Sequence, residues 1–230
     1  MVETAYDVVT AGRPDAPAIG APGRPWLTYA GLKKVADDTI ATLNGVGIGR
    51  GDRVAMVVPN GPEMASSFIA VASGCSSAPL NPAYRADEFE FYLDDLKPKA
   101  VIVQHGMDSP VRAMAQKVGV PIIDLVPTPD APAGTFTLDV AELKPAKAAR
   151  PGTSEGAEIA LVLHTSGTTA RPKIVPLSAA NLAASARHIG AALALTPADR
   201  CLNIMPLFHI HGLIAAVLSS AWFGAHAIGP

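Results

Sequence analysis

The apolar run Val54–Val58 constrains the fold of this 230-residue chain more than any other feature, because all of its side chains are apolar. A strand with one face in water alternates apolar and polar residues, whereas a continuous apolar run suits a strand that is buried on both faces. Burial on both faces requires other elements on each side of the sheet. The run therefore predicts a largely parallel sheet covered by helices.

Segments with helical and extended patterns alternate around this run. Apolar residues repeat at helical spacing from Leu32 to Leu43, and Gly45 is placed to end that helix. The segment Asn60-Gly61-Pro62-Glu63 has the residues typical of a helix start. The β-α-β-α order predicts an α/β fold with parallel-rich, twisted sheets and flanking helices. The further predicted strands are Ser76–Leu80, Lys99–Val103, Val120–Val126 and Phe136–Leu138, and the further predicted helices cover Arg85–Leu96 and the segment from Ser109 to Val118.

Composition and charge exclude several classes of protein. Hydrophobic residues make up 49% of the chain, which is enough for a sizeable core and excludes global disorder. The formal net charge is −2 and no basic block occurs, so we predict no nucleic-acid partner and no polybasic membrane contact. No apolar signal core is found at the start, and the cysteines, Cys75 and Cys201, are expected to be small buried hydrophobes in a reducing compartment. These features predict a cytoplasmic protein.

The C-terminal end is unusually apolar, since residues 201–230 contain no Asp, Glu, Lys or Arg. Its most apolar piece, Leu213–Phe223, is shorter than the ~20 residues that a membrane-spanning helix needs, so we predict a buried core helix and no transmembrane segment. Gly224–Ile228 has the pattern of a strand start. Because termini usually lie at the surface, this ending favours the front part of a longer protein. The alternative is a natural short chain that buries this end in an oligomer, and self-association through the apolar end is expected.

A loop rich in hydroxyl groups lies between two predicted strands, Ile159–Leu163 and Ile174–Leu177. Residues 164–173, which read H-T-S-G-T-T-A-R-P-K, contain four Ser or Thr residues, one Gly and one Lys. Hydroxyl groups, backbone N–H groups and a lysine cation can bind polyphosphate oxygens, and Gly167 allows a close backbone approach. The spacing is not that of a Walker loop, and no helix is expected to start at Lys173. Composition alone supports a phosphate site and a polar hairpin turn equally.

The residue order in this loop closely resembles the phosphate-loop signature of adenylate-forming enzymes, T-S-G-[ST]-T-G-x-P-K-G. The segment Thr165–Lys173 matches it, with Ala170 and Ile174 in place of the two later glycines. The resemblance extends from near Pro17 to Pro230 and is greatest to oxalate–CoA ligases and related bacterial fatty-acid–CoA ligases, with this chain as the N-terminal portion. Further matching blocks are Gly49–Val54 with Pro59-Asn60, Leu80–Tyr84 with Glu88 and Tyr92, and Leu202–Gly212, which reads L-N-I-M-P-L-F-H-I-H-G.

The resemblance implies an ATP-dependent acid–CoA ligase. Such enzymes join a carboxylate to the α-phosphate of ATP, release pyrophosphate and pass the acyl group to CoA, so ATP, Mg²⁺, CoA and a carboxylic acid are implied. His209 matches the family histidine that lies beside the acyl and α-phosphate sites, and it is the implied catalytic residue. Arg171 is expected to be a solvated loop residue. The residues implied to hold the β- and γ-phosphates are Thr165, Ser166, Gly167, Thr168, Thr169 and Lys173.

The resemblance also implies that several parts of the site lie outside this chain. The family's adenine-contacting block with its Mg²⁺-binding Glu, the ribose-binding Asp and the mobile C-terminal domain with its catalytic Lys all follow these segments. Residues 1–150 are expected to form the first α/β subdomain and 151–230 the start of the second. The chain alone is therefore expected to be inactive, with most of the Mg²⁺ and CoA sites missing.

The segment around His209 and His211 is not expected to bind a metal ion, because no Cys, Asp or Glu accompanies the two imidazoles. Two other functions stay open. A non-catalytic nucleotide- or anion-binding module is weakly favoured by the loss of glycine at Ala170 and Ile174. An adenylating enzyme that uses a carrier-protein thiol as acceptor is equally compatible with the sequence, which contains no acceptor determinant.

Overall fold

The computed structural model describes residues 4–165 and 172–228, which form two β-sheets with helices packed against them. The strands are β1 (Pro17–Gly20), β2 (Leu27–Thr28), β3 (Arg53–Val57), β4 (Ser76–Pro79), β5 (Ala100–Gln104), β6 (Ile122–Pro127), β7 (Phe136–Asp139), β8 (Ile159–Thr165), β9 (Lys173–Ser178), β10 (Arg200–Leu202) and β11 (His226–Ile228). The α-helices are α1 (Tyr29–Gly45), α2 (Pro62–Gly74), α3 (Ala86–Leu96), α4 (Val111–Val118), α5 (Ala179–Ala192) and α6 (Ser219–Trp222). A 3-10 helix covers Ala5–Thr10, and a π-helical segment covers His211–Leu218.

The larger sheet has the strand order β7-β6-β5-β3-β4-β8-β9. Its five inner strands run parallel, whereas β7 and β9 are antiparallel to their neighbours. Each of these two edge strands is the next strand in sequence after its neighbour, and the residues between them are too few for the crossover that a parallel pair needs. The predicted parallel-rich α/β fold is confirmed.

The apolar run that predicted this architecture lies at the centre of the larger sheet. Val54 and Met56 face the core that contains α1 and α2, whereas Ala55 and Val57 face the core that contains α3 and α4. All four side chains are fully buried. The alternation of strand side chains between two covered faces explains why no polar residue interrupts the run.

Side chains at the helix starts explain why these helices begin where they do. The Thr28 hydroxyl accepts a hydrogen bond from the Gly31 N–H (3.1 Å) at the start of α1, and Pro62 occupies the first turn of α2. A Glu88 carboxylate oxygen accepts from the Arg85 N–H (2.9 Å) before α3. The Ser178 hydroxyl accepts from the Asn181 N–H (3.1 Å) before α5. These caps satisfy N–H groups that have no partner within the helix.

The smaller sheet joins the two ends of the described chain, in the order β10-β11-β1-β2. Strand β1 pairs in parallel with β11, which follows it by about two hundred residues of chain. The larger sheet likewise contains β8 and β9 beside strands that precede residue 150. The expected subdomain boundary at residue 150 therefore does not coincide with a division between the sheets.

The apolar C-terminal segment is buried in this fold. Between Gly212 and Ala221 every side chain but that of Ala215 is buried, so the predicted core helix is present, although it begins as a π-helix. The more exposed large apolar side chains instead precede it, at Leu193, Leu202 and Ile204. The helical part of this end packs against α2 and α5, whereas Leu202 and Ile204, which belong to the same apolar end, are exposed. Self-association through the apolar end stays a prediction.

The two cysteines differ in their surroundings. Cys75 is buried, and burial raises the pKa of its thiol well above the ordinary value, as expected for a small hydrophobe. Cys201 is only half-buried, because it lies on β10 at the edge of the smaller sheet, so its predicted burial is wrong. Within residues 4–165 and 172–228, no helix is long and apolar enough to cross a membrane.

Candidate active site

A cleft of about 350 Å³ opens at the carboxyl edge of the larger sheet. Strands β3, β4 and β8 run parallel, so the residues that follow or end them meet at this edge, which is where ligands bind in open α/β sheets. Thr165 ends β8, and Tyr84 follows β4. The side chains and backbone that line the cleft belong to Tyr84, Tyr92, Leu163, His164, Thr165, Val175, Leu177, Phe208, His209 and Ile210.

The hydroxyl-rich segment that resembles a phosphate loop lies between β8 and β9, which form an antiparallel hairpin. Thr165 and Lys173 are directly opposite each other at the end of this hairpin, and both side chains are exposed. Ser166, Gly167, Thr168 and Thr169, together with Ala170 and Arg171, lie outside the described residues. The hairpin itself fits both interpretations of the loop, because a phosphate-binding loop and a plain polar turn can each join two such strands.

His209 lies on a turn that leads into the π-helical segment. Its N–H donates to the Pro206 carbonyl (3.2 Å), its carbonyl accepts from the Leu213 N–H (3.2 Å), and its Nδ1 accepts from the His211 N–H (3.4 Å). The imidazole is exposed and lines the cleft. A π-helical turn is rare and is frequently found at functional sites.

Two segments that resemble separate family blocks meet at this turn. The Asn60 side-chain oxygen accepts a hydrogen bond from the Leu207 N–H (2.8 Å), and its amide nitrogen donates to the Met205 carbonyl (3.4 Å). Asn203 makes two further hydrogen bonds to the backbone of Met205, at 3.0 and 3.1 Å. These bonds hold the turn before His209 against the start of α2.

Gly212 permits a close contact within the same turn. A Cβ atom at this position would lie 2.5 Å from the Pro206 carbonyl oxygen and 3.1 Å from that of Met205. Cβ atoms do not approach backbone oxygens so closely, hence only glycine fits without movement of the turn. Steric contact thus explains the glycine that ends the Leu202–Gly212 block.

A cluster of polar and aromatic side chains forms one wall of the cleft. His164 Nε2 lies 2.9 Å from an Asp95 carboxylate oxygen, and the imidazole packs edge-on against Tyr92 with ring centroids 4.6 Å apart. Tyr92 stacks on Tyr84 at 4.8 Å. Burial, together with hydrogen bonding to Tyr92, raises the pKa of Tyr84 well above its ordinary value, so its phenol stays neutral. Sequence reasoning assigned no role to Asp95, because nothing in its local pattern distinguishes it from a solvated helix acid.

A second cavity, of about 330 Å³, lies on the other side of His209 between α5 and the π-helical segment. His209 lines both cavities, so it stands between the hairpin and this second space. The residues around the second cavity are Ser185, Ile189, His209, Ile210, His211, Ile214 and Ala215, and most of them are apolar.

The described residues contain no group of three His, Cys, Asp or Glu side chains that could hold a metal ion. The donors at the end of the hairpin suit a polyphosphate instead. Thr165 offers a hydroxyl group, and Lys173 an ammonium group opposite it. A hydroxyl donor beside a lysine cation is a set that fits phosphate oxygens.

The α/β fold of this chain is that of the N-terminal domains of adenylate-forming enzymes. The profile of the family described as AMP-binding enzyme matches residues 6–229. Because the match covers almost the whole sequence, the chain belongs to the AMP-binding enzyme family.

Relatives of this chain include CoA ligases. The chain is 39% identical to an oxalate–CoA ligase of Arabidopsis thaliana, over 92% of its own length and 41% of the relative. It is 31% identical to the long-chain-fatty-acid–CoA ligase FadD13 of Mycobacterium tuberculosis, over 84% of its length and 38% of the relative. ATP-bound MatB from Rhodopseudomonas palustris has a similar structure, with a TM-score of 0.81 and 28% identity over 99% of this chain and 45% of that one. The chain thus spans about two-fifths of the length of its curated relatives.

Proposed function

We propose that this chain forms the phosphate-binding hairpin and part of the acid site of an ATP-dependent acid–CoA ligase. The observation that carries the proposal is that Thr165 and His209 line the same cleft although they are far apart in sequence. The cleft lies at the carboxyl edge of the sheet, where such a fold binds ligands. Membership of the AMP-binding enzyme family and similarity to CoA ligases support the same function.

The chemistry requires that two anions meet. A carboxylate must approach the α-phosphate of ATP, and negative charge must move onto the departing pyrophosphate. Lys173 and the hydroxyl of Thr165, with Ser166, Gly167, Thr168 and Thr169, would hold the β- and γ-phosphates. The fixed positive charge of Lys173 lowers the cost of the charge that develops there. His209, between the two cavities, would donate a hydrogen bond to the reacting oxygens and orient the carboxylate.

We further propose that this chain alone does not complete the reaction. Residues 1–150 and 151–230 would then be parts of the large domain, with the mobile C-terminal domain outside them. The chain spans 41% of its oxalate–CoA ligase relative, which leaves room for adenine, ribose, Mg²⁺ and most CoA contacts elsewhere. ATP and Mg²⁺ together would supply the activated phosphate, and CoA the accepting thiol. The cytoplasm stays the predicted compartment, and self-association would use the exposed Leu202 and Ile204.

Acid-dependent exchange between ATP and pyrophosphate tests the proposal directly. The 230-residue chain is assayed beside the complete product of its gene, with oxalate and a panel of fatty acids. Oxalate comes first because the oxalate–CoA ligase is 39% identical to this chain and the fatty-acid ligase 31%. We expect exchange with the complete product and none with the chain alone. Exchange by the chain alone would contradict the proposal that essential groups lie outside it.

Single-residue variants test whether pyrophosphate exchange depends on the proposed phosphate site. Lys173→Met should weaken ATP-dependent exchange by roughly ten- to hundred-fold, because it removes a charge that would neutralise phosphate. Lys144→Met, which removes an exposed lysine away from the cleft, should leave it unchanged. Tight ATP binding without exchange for any acid would favour the non-catalytic module. Exchange without transfer to CoA would favour a carrier-protein thiol as acceptor.

A further inference from the structure

The hydrogen bond between Asp95 and His164 has no part in the proposed chemistry. It joins α3 to the loop end of the β8–β9 hairpin. We propose that Asp95 and His164 are positioning residues that fix the end of the β8–β9 hairpin, and with it Thr165 and Lys173, for ATP. The inference rests on the proposed function, since it assigns the residues that orient the proposed phosphate contacts.

The end of the hairpin extends beyond the rest of the sheet. Ser77 of β4 pairs with Leu161 of β8, and β4 ends at Pro79, two residues later. Strand β8 continues to Thr165, four residues past Leu161. In the described part of the chain, the only strand beside the last residues of β8 is therefore β9, which is itself an edge strand. A two-stranded ribbon of this kind is marginally stable unless side chains hold it.

Asp95 and Tyr92 hold this ribbon from one side. The His164 side chain is 6% exposed, with Nε2 at 2.9 Å from Asp95 and the ring edge against Tyr92. A carboxylate only accepts hydrogen bonds, so the imidazole donates from Nε2 and its orientation is fixed. Tyr92 in turn stacks on Tyr84, which connects the hairpin to the segment after β4. The last turn of α3 and the aromatic pair thus act as a support for the hairpin.

The geometry assigns His164 an indirect role. Successive strand side chains point to opposite faces, so His164 lies on the face of the hairpin that meets α3, while Thr165 and Lys173 lie on the other. Its cross-strand partner Ile174 packs against the same core as α3. His164 itself lines the cleft, whereas Asp95 is not among the lining residues, so a change at Asp95 reaches the phosphate contacts through His164 and the backbone of the hairpin.

The test uses Asp95→Ala, Asp95→Asn and His164→Ala in the complete gene product. Asn keeps an oxygen that accepts from Nε2, so it separates the loss of the bond from the loss of the charge. The control is His105→Ala, because His105 is an exposed histidine 3.9 Å from Asp124 at the end of β5, away from the hairpin. The two measurements are the KM values for ATP and for the acid in pyrophosphate exchange, and amide hydrogen exchange at residues 164–165 and 173–174.

We expect Asp95→Ala and His164→Ala to raise the KM for ATP roughly ten-fold, about the effect of one charge-assisted hydrogen bond, with the KM for the acid nearly unchanged. Amide hydrogen exchange should rise only at residues 164–165 and 173–174. Asp95→Asn should restore most of the wild-type KM for ATP and most of the wild-type amide protection. An unchanged KM for ATP with unchanged amide exchange would overturn the inference, as would an equal rise in both KM values. If the wild type exchanges no pyrophosphate with any acid, the proposed function fails, and amide exchange alone decides whether Asp95 holds the hairpin.

Discussion

The Asn60 side chain accepts a hydrogen bond from the Leu207 N–H at 2.8 Å, across 147 residues of sequence. This bond joins the loop after the central strand β3 to the turn that carries His209. The position of the proposed catalytic histidine therefore depends on a residue that belongs to another part of the chain.

Replacement of Asn60 should separate stability from activity. Asn60→Ala removes the bonds to Leu207 and Met205, so we expect the free energy of unfolding to fall by about 1–2 kcal/mol and pyrophosphate exchange to fall at least ten-fold. The matched control is Asn44→Ala, because Asn44 also accepts from a backbone N–H at 2.8 Å, that of Gly152, and donates to a carbonyl. Urea unfolding should show a similar loss in the free energy of unfolding for both variants. Pyrophosphate exchange should fall only for Asn60→Ala. Equal losses of exchange would mean that the bond acts through global stability.

Gly212→Ala should distort the turn before the π-helical segment. The new methyl group would lie 2.5 Å from the Pro206 carbonyl oxygen, so the backbone must move, at a cost of about 1–3 kcal/mol in stability. Pyrophosphate exchange should also fall, because the movement of the turn shifts His209. Gly45→Ala is the control: a Cβ there meets no atom within 4 Å, and in the last turn of α1 it should stabilise the protein by about 0.5–1 kcal/mol. A Gly212→Ala variant with wild-type stability and activity would show that the turn adapts freely.

Tyr29→Phe tests how the start of α1 is joined to the C-terminal segment. The buried Tyr29 hydroxyl lies 2.8 Å from the Ala221 carbonyl oxygen and 2.7 Å from that of Ala225, and its single hydrogen is donated to one or shared by both. We expect a loss of about 1–3 kcal/mol in the free energy of unfolding, because the carbonyls stay buried. Tyr6→Phe, which removes a half-buried hydroxyl bonded to Asp37, should cost less. A larger effect at Tyr6 would contradict the burial argument.

His226 should make stability depend on pH. Its two ring nitrogens are buried without a hydrogen-bond partner among the described residues, and its ring meets Trp26 edge-on. Burial, and to a lesser degree Arg200, lowers the pKa of His226 below its ordinary value of 6.5. The unfolded chain therefore binds the proton more readily, so stability is fully present above pH 6.5 and is lost as the pH falls towards the lower folded-state pKa.

Unfolding in urea across this pH range checks the expectation for His226. His226→Phe keeps an aromatic ring against Trp26 and removes the titration, so its free energy of unfolding should fall less steeply below pH 6.5 than that of the wild type. His226→Leu repeats the test with a smaller side chain. His188→Phe, at an exposed position on α5, should keep the wild-type slope. Wild-type slopes in both His226 variants would assign the pH dependence to other groups.

Much of the fold was predictable because local patterns suffice for it. The run Val54–Val58 predicted a doubly covered strand, and Gly45 and Asn60–Glu63 predicted where helices end and begin, as the structure confirms. The smaller sheet was not predictable. It forms between β1 and β11, and no local pattern in either strand indicates its partner. Both sheets contain strands from either side of residue 150, and the subdomain boundary at that residue stays a prediction.

The sequence by itself determined the family and the candidate chemistry, because both motifs are short contiguous segments. One is the hydroxyl-rich segment with Gly167 and Lys173, and the other surrounds His209. Only the tertiary structure decided that Thr165 and His209 share one cleft, that Asn60 bonds to the turn beside it, and that Asp95 bonds to His164 near the end of the hairpin. The physical reason is that these contacts join residues far apart in the chain. Their partners are selected by the order of strands in the sheet and by which side-chain faces that order brings together.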